Sequence, residues 1–198
     1  TLRGWGGPKL LASYEIERRQ VGARNVEASR HASRGRRAWR AAFKPNIRDK
    51  TPEGAETRAK LAAIADIEQR KSNEMIGAEL GYRYRESPVI WPDAGEGPAD
   101  DFMKYAPTSW PGARLPHVWL ADGTALHDRI GDGFTLLRLA GAPADSTLLA
   151  RAFARYRAPF TVLDVADAGP RDVYGHDLLL LRPDLHVVWR GNQLPDAA

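Results

Sequence analysis

The first third of the chain carries apolar side chains at near-helical spacing. The series starts after Pro8, a residue favoured at the first position of a helix, and continues to about Phe43. It predicts one long amphipathic helix or two shorter ones, ended by Pro45. The apolar face is assigned to Leu10, Leu11, Tyr14, Ile16, Val21 and Val26. The opposite, solvated face is assigned to Glu15, Glu17, Arg18, Arg19, Arg24, Glu27 and Arg30.

A second helix is predicted to begin after Thr51. The Thr51 hydroxyl suits an N-cap, Pro52 suits the first helical position, and Glu53 places a negative charge in the first turn. Apolar residues at helical spacing then continue to Gly77 or Gly81, where we expect the helix to end.

Beyond Gly81 the pattern changes to short extended runs and loops rich in Pro, Gly and Asp. Strands are predicted at 117–120, 134–139, 160–165, 178–181 and 186–189, with a helix capped by Asp145-Ser146-Thr147 and a short helix before the fourth strand. Asp122-Gly123 predicts a tight hairpin turn. The run Leu178–Leu181 is apolar throughout, which predicts a central strand buried on both faces.

This order of elements predicts an α/β chain with three parts. Residues 1–80 form a helical extension, 81–110 an extended linker, and 111–198 a mixed sheet of thioredoxin-like layout. The sequence contains no cysteine, which excludes thioredoxin-type redox chemistry, disulfides and thiolate metal sites. No apolar run approaches the length of a membrane span and no secretory signal is visible, so we expect a cytoplasmic protein.

The charge is unevenly distributed. Residues 1–50 hold 13 Lys and Arg against 4 Asp and Glu, whereas the remainder holds 16 against 21. One interpretation is a standalone binding module whose basic helix 18–40 engages an acidic partner or nucleic acid. We favour a helix docked on an acidic neighbouring domain, because this stretch lacks interleaved aromatic residues and matches no helix-turn-helix or zinc-finger pattern.

Residue patterns of known catalytic sites are missing. The five histidines show no metal-ligand spacing, and no serine lies in a nucleophile-elbow motif. Gly4-Trp5-Gly6-Gly7 and Gly131-Asp132-Gly133 are the glycine-rich candidates, and neither follows a predicted strand and opens a helix as phosphate binding requires. The sequence therefore predicts no catalytic, cofactor or metal residue in this chain.

Aromatic residues supply the remaining candidates. Tyr82 and Tyr84 alternate with arginines, so they either approach an aromatic substrate or form a half-buried strand at a domain seam with the arginines in water, the second being favoured. Trp119 and Trp189 are expected to bury together, and Trp110 to be exposed at an interface.

Five segments taken together indicate a family. In chain order they are RGWGGPKLLASYEIERR, LGYRY, PGARLPHVWL, DGTALHDRIGDGFTLLRL and LLLLRPDLHVVWRG. They resemble the C-terminal third of the FAD-dependent aromatic hydroxylases, the class A flavoprotein monooxygenases related to phenol hydroxylase and to polyketide- and indolocarbazole-tailoring hydroxylases. The resemblance implies that 1–80 closes a FAD-binding domain and that 111–198 is a thioredoxin-like C-terminal domain without redox cysteines, which often supports subunit contacts.

The resemblance also implies a function for a longer parent protein. Because position 1 is not methionine, we expect the chain to be the C-terminal part of such a polypeptide. The parent would use FAD and NAD(P)H to insert one oxygen atom into an aromatic substrate. Its FAD-binding and substrate domains would lie upstream, a homodimer is possible, and this part alone would bind no cofactor and be inactive.

Overall fold

The computed structural model describes residues 2–195, which form two compact units. The sheet unit comprises 2–21, 82–99 and 106–195, and the helical unit comprises 22–81 and 100–105. Helix α1 contributes residues to both units. The sequence predicts three parts, 1–80, 81–110 and 111–198, and these boundaries stay a prediction.

The helical part contains three α-helices and one short 3₁₀ helix. Their bounds are α1 Pro8–Ala41, 3₁₀ Pro45–Arg48, α2 Pro52–Asn73 and α3 Ile76–Leu80. The first segment is therefore a single helix. The second was predicted to continue to Gly77 or Gly81, but it ends at Asn73 and a separate turn of helix follows. After this break Gly77 packs against the backbone of Asp101 and Lys104. An added Cβ on Gly77 would lie 1.9 Å from the Asp101 carbonyl oxygen.

Helix α1 buries a different face from the one predicted. In the sheet unit its buried residues are Ser13, Glu17 and Val21, whereas Leu11 and Tyr14 are 68% and 62% exposed. Glu17 was assigned to the solvated face, and that assignment was wrong. The physical reason is that Glu17 has an arginine partner inside the sheet unit, so burial follows the ion pair rather than the apolar series.

The predicted cap of α2 is confirmed. The Gly54 amide donates to Thr51 Oγ1 at 3.2 Å, which satisfies one of the unpaired N–H groups at the helix start. Thr51→Ala is expected to lower the free energy of unfolding of the helical unit by about 1 kcal/mol. Urea unfolding followed by circular dichroism at a helical wavelength measures this change. Thr51→Ser keeps the acceptor, so a loss equal to that of Thr51→Ala would contradict the assignment.

The sheet unit is built on four strands with a thioredoxin-like arrangement. Its elements after α3 are α4 Leu126–Arg129, β1 Phe134–Leu139, α5 Thr147–Arg155, β2 Phe160–Val165, α6 Gly169–Tyr174, β3 Leu178–Leu181 and β4 Val187–Gly191. The strand order is β2-β1-β3-β4, with β1 parallel to β2 and β3 antiparallel to both β1 and β4. A parallel β–α–β unit is thus followed by an antiparallel hairpin, which confirms the predicted α/β fold class.

The core lies around the two inner strands. Leu137, Leu139, Leu179 and Leu181 are fully buried on one face of the sheet, together with Leu115, Leu126 and Tyr174 from the flanking segments. On the other face Leu136 and Leu178 are also fully buried. The continuous apolar run of β3 therefore marks an interior strand with buried residues on both faces, as predicted, and β1 is also buried on both faces although Thr135 and Arg138 interrupt its apolar residues.

The predicted strand at 117–120 is wrong. This segment makes only an isolated bridge between Trp119 and Ala125, and the turn at Asp122-Gly123 closes it by a hydrogen bond from the Gly123 amide to the Leu120 carbonyl. Trp119 is 66% exposed and does not bury with Trp189. The pairing ends after two hydrogen bonds, from the Leu120 amide to the Thr124 carbonyl and from the Leu126 amide to the Val118 carbonyl, because the chain enters α4 at Leu126.

Among the described residues 2–195, no helix has both the length and the apolarity needed to cross a membrane.

Candidate functional site

A buried ion-pair cluster joins α1 to the β3–β4 turn inside the sheet unit. Glu17 Oε1 accepts hydrogen bonds from Arg182 Nη1 at 2.5 Å and from Ser87 Oγ at 2.6 Å. The side chains of Glu17 and Arg182 are 4% and 16% exposed, and Arg182 Nη2 also donates to Asp184 at 2.9 Å. We call Glu17, Tyr84, Ser87, Arg182, Asp184 and His186 the Glu17–Arg182 cluster. Because it fixes α1 on the sheet unit, it is a positioning site.

Tyr84 is the aromatic centre of this cluster. It is 1% exposed, its ring stacks on His186 with centroids 4.5 Å apart, and the Arg182 guanidinium lies 5.2 Å from the ring centroid. Burial raises the pKa of the Tyr84 hydroxyl to about 12, and repulsion from Tyr82 adds to the rise. Tyr84 is therefore a neutral phenol at physiological pH, held by stacking and by a cation over its face.

Tyr82 and Tyr84 are brought together, with ring centroids 5.8 Å apart. Tyr84 points inward as the structural interpretation predicted, and Tyr82 is half-buried. The arginines differ from each other, because Arg85 is exposed but Arg83 is half-buried and donates to the Pro98 carbonyl. The alternative interpretation, that Tyr82 and Tyr84 lie near an aromatic substrate, stays a prediction.

Asp184 makes the stability of the cluster depend on pH. Partial burial raises the pKa of its carboxyl, but the hydrogen bond and attraction of His186, and then the charge of Arg182, outweigh burial and lower the pKa to about 2. A lowered pKa means that the stabilisation is complete above the ordinary value and is lost as pH falls from about 4 to about 2.

We expect Asp184→Asn to be less stable than the unchanged protein at pH 6, and the difference to vanish by about pH 2. The expected difference is at most about 1 kcal/mol, because the Asp184 side chain is 41% exposed and solvent screens it. Urea unfolding at a series of pH values gives the difference. A gap that stays constant over this range would contradict the assigned pKa.

The other sequence candidates lie apart from one another. Gly131–Asp132–Gly133 forms a bend immediately before β1, and Gly4–Gly7 lies immediately before α1. Among the described residues, no three or more His, Cys, Asp or Glu side chains are grouped as metal ligands would be. Gly131–Asp132–Gly133 therefore leads into a strand and not into a helix, and it lacks the strand–loop–helix geometry that cradles a pyrophosphate.

The histidines and Ser109 have structural contacts. His127 Nε2 lies 3.1 Å from the Leu115 carbonyl oxygen, and burial lowers the pKa of His127. Ser109 Oγ donates to the Tyr174 carbonyl at 2.6 Å. His186 is buried, whereas His117 is exposed and packs edge-on against Trp119.

Trp110 was predicted to be exposed at an interface, and it is half-buried instead. The Arg190 guanidinium lies 4.8 Å from its ring centroid, and Gly97 packs so closely that a Cβ there would be 2.7 Å from the indole. The exposed tryptophans are Trp91 and Trp119. Trp110 is covered because its Pro/Gly-rich segment folds back onto β4 rather than extending into solvent.

Sequence reasoning missed the Glu17–Arg182 cluster. Its two central residues, Glu17 and Arg182, are 165 positions apart in the chain. The available signal was the spacing of Ser13, Glu17 and Val21, which places polar residues every four positions on one face of α1. A polar residue on the same helix face as a buried valine indicates a buried partner, because an unpaired buried charge is strongly unfavourable.

The chain combines a long helix with a thioredoxin-like sheet, and it contains no cysteine. Residues 108–198 match the protein family described as "Aromatic-ring hydroxylase, C-terminal". This match, together with the relatives below, confirms the resemblance of the chain to the C-terminal part of the FAD-dependent aromatic hydroxylases.

Individual relatives agree with this assignment over nearly the whole chain. It is 32% identical to the FAD-dependent monooxygenase apdD of Emericella nidulans over 206 residues, which cover 98% of this chain and 32% of the relative. It is 28% identical to a phenol 2-monooxygenase of a Pseudomonas species over 98% of this chain and 37% of the relative. The chain thus spans about a third of the length of these relatives.

Solved structures show the same fold. A structure of RebC, soaked with chromopyrrolic acid and containing bound 7-carboxy-K252c, aligns with a TM-score of 0.86 at 33% identity, covering 98% of this chain and 36% of RebC. The flavin-dependent monooxygenase PieE, in complex with FAD and substrate, aligns with a TM-score of 0.79 at 29% identity, covering 97% and 38% of the two chains.

Proposed function

We propose that this chain is the C-terminal part of an FAD-dependent, NAD(P)H-using monooxygenase that hydroxylates an aromatic substrate. In this proposal residues 1–80 close the FAD-binding domain, 81–110 are a linker, and 111–198 are the C-terminal domain. The chain supplies scaffold and interface, while the FAD-binding and substrate domains lie upstream. A homodimer and a cytoplasmic location belong to the same proposal.

One observation carries the proposal. Alignment with RebC extends over 98% of the chain at 33% identity, so both the helical and the sheet-containing parts are matched together. The exposed apolar residues on α1 add support. Leu11, Tyr14 and Ile16 are 68%, 62% and 46% exposed, and an upstream domain packed on α1 would remove them from water.

The described residues do not fit FAD as a site of their own. Gly131–Asp132–Gly133 leads into a strand, and no described loop between a strand and the following helix carries several glycines. We therefore assign no reaction step to this chain. The flavin supplies the oxygen chemistry in the proposed parent, and this chain's residues hold α1 in place through Glu17 and Arg182.

The test begins with the native polypeptide that contains this sequence. Its mass is measured under denaturing conditions, and the purified native protein is assayed for bound FAD and for NAD(P)H oxidation stimulated by phenols. We expect a mass well above 21.9 kDa, bound FAD and stimulated oxidation. A native mass equal to that of the chain, or a larger protein without FAD, would overturn the proposal.

The 198-residue chain alone is expected to bind no flavin and to have no hydroxylase activity. Purification in the presence of FAD followed by gel filtration and absorbance at flavin wavelengths tests this expectation. A stoichiometric yellow chromophore retained by the chain would contradict it.

The binding-module alternative has its own test. Within the helical unit Arg24 is 11% exposed and is held by Asp100 and by the carbonyls of Gly77 and Ala78, so this cation is used internally. A nucleic-acid binder should lose affinity by about one log–log slope unit per phosphate contacted as salt rises. We expect no such salt-dependent binding, measured by fluorescence anisotropy with single-stranded and double-stranded probes.

A further inference from the structure

An apolar groove opens on the sheet unit between the start of the chain and helix α5. Its volume is about 360 Å³, and its lining is almost entirely apolar. The residues that carry the argument are Trp5, Leu10, Phe134, Ala152, Phe153 and Tyr156. Pockets of this size and composition are typical of small-molecule sites rather than of packing gaps.

The aromatic rings around the groove form a ladder that stays partly open to solvent. Trp5 meets Phe134 edge-on with centroids 5.8 Å apart, Phe134 lies 4.9 Å from Phe153, and Phe153 stacks on Phe160 at 4.7 Å. Each of these four rings is only half-buried. Edges and faces of aromatic rings therefore remain available for a further planar ring.

Helix α5 presents its apolar face to this groove without burying it. None of its residues is buried, although Leu149, Ala152 and Phe153 line one side. Strand β2, which begins with Phe160, is an edge strand whose residues are mostly half-buried or exposed. The groove is thus an unfilled concave surface, in a unit whose main core around β1 and β3 is complete.

An arginine lies next to one lining residue of the groove. The Arg155 guanidinium lies 5.9 Å from the ring centroid of Tyr156, which is itself a lining residue and is 65% exposed. Among the described residues no carboxylate lies within ion-pair distance of Arg155, whereas Arg138 and Arg171 each have one. An arginine beside an aromatic wall favours a ligand that has a planar ring and a carboxylate.

We propose that this groove binds a planar aromatic carboxylate with two or three fused rings. The rings pack against the solvent-facing edges and faces of Trp5, Phe134 and Phe153, and the carboxylate pairs with Arg155. This site lies wholly within the sheet unit and uses none of the residues of the Glu17–Arg182 cluster. The proposal does not depend on flavin chemistry, because it concerns binding by this chain alone.

Isothermal titration of the full chain with 2-naphthoate is the direct test. We expect a dissociation constant below about 1 mM, and weaker binding of the neutral analogue 2-naphthalenemethanol by about fivefold. Arg155→Gln should remove the preference for the carboxylate. Arg151→Gln is the matched control, because Arg151 lies on the same helix but interacts with Asp145.

A second pair of variants tests whether 2-naphthoate binds in the groove or elsewhere on the surface of the protein. Ala152 lines the groove and is exposed, so Ala152→Trp fills the space without removing a core side chain. It should weaken 2-naphthoate binding at least about tenfold. Ala154→Trp, also exposed on α5 but outside the lining, should leave the affinity unchanged. Circular dichroism and thermal unfolding verify that both variants are folded.

Three results would overturn the proposal. The first is no heat of binding at millimolar 2-naphthoate, and the second is equal affinity in the Ala152→Trp and unchanged proteins. The third is a concentration-dependent dimer, detected by light scattering, that Ala152→Trp converts to a monomer. That result would make the groove a self-association surface and not a ligand site.

Discussion

Replacing Glu17 by Ala is expected to lower the free energy of unfolding of the sheet unit by about 3 kcal/mol. The substitution removes the partner of Arg182, which is 16% exposed and therefore keeps a charge in a poorly solvated place. It also leaves the Ser87 hydroxyl without its acceptor at 2.6 Å. Denaturant unfolding followed by tryptophan fluorescence measures the change, since several tryptophans lie in this unit.

Glu15→Ala is the matched control for this prediction. Glu15 lies two positions away on α1 and is exposed, so its loss should change stability by less than about 0.5 kcal/mol. The double variant Glu17→Leu/Arg182→Met removes both charges and should recover much of the lost stability, because no buried charge remains unpaired. If Glu17→Ala were as stable as Glu15→Ala, the buried ion pair would contribute nothing measurable.

The effect of Glu17 extends to the arrangement of α1. The same residue anchors the helix segment whose exposed side carries Leu11 and Tyr14, the apolar residues proposed to pack on an upstream domain. Losing the anchor would change the surface offered to that domain as well as the stability of the sheet unit. A native parent protein carrying Glu17→Ala should therefore also hold FAD less firmly, measured by flavin release on heating.

The strands of the sheet unit were predictable because each is marked by a local pattern of residues in the sequence. Residues 134–139, 160–165 and 178–181 were predicted as strands and are strands with the same bounds. Each is a short run rich in β-branched or leucine side chains bounded by turn residues. The inner strands β1 and β3 are rich in leucine because both of their faces are buried, and the edge strand β2 is marked by its β-branched and aromatic residues, so each signal is local.

Helix α1 was predictable in extent but not in orientation. Its apolar residues suggested one buried face, yet Leu11 and Tyr14 are exposed while Ser13 and Glu17 are buried. Hydrophobic periodicity assumes that the helix packs only on its own unit. It fails where a helix pairs a buried carboxylate with a distant arginine.

The partners within the Glu17–Arg182 cluster depend on contacts distant in sequence. Tyr84 was recognised as an inward-facing aromatic residue, but its neighbours His186 and Arg182 come from the last hairpin of the chain. No local pattern links residue 84 with residue 186. The sequence therefore predicted that Tyr84 is a packing residue without indicating the cation over its ring or the backbone that supports it.

Replacing Gly112 by Ala is expected to lower the free energy of unfolding of the sheet unit by about 4 kcal/mol. Gly112 has φ +87°, a region unfavourable for residues with a Cβ, and an added Cβ would lie 2.3 Å from the Tyr84 carbonyl oxygen. Gly112 also links two segments, since its carbonyl accepts from the Tyr84 amide at 3.0 Å and its amide donates to the Val187 carbonyl at 2.8 Å. The clash must therefore move Tyr84 away from β4.

Gly123→Ala separates the effect of the unfavourable backbone conformation from the effect of the steric clash. Gly123 has a similar φ of +80°, but an added Cβ there meets nothing within 4 Å, so only the backbone strain of about 1 kcal/mol is expected. The excess loss in Gly112→Ala then measures the steric contact with the Tyr84 backbone. Equal losses in the two variants, determined by denaturant unfolding, would mean that the Tyr84 segment moves aside without loss of stability. In that case the stacking of Tyr84 on His186 would not contribute measurably to the stability of the sheet unit.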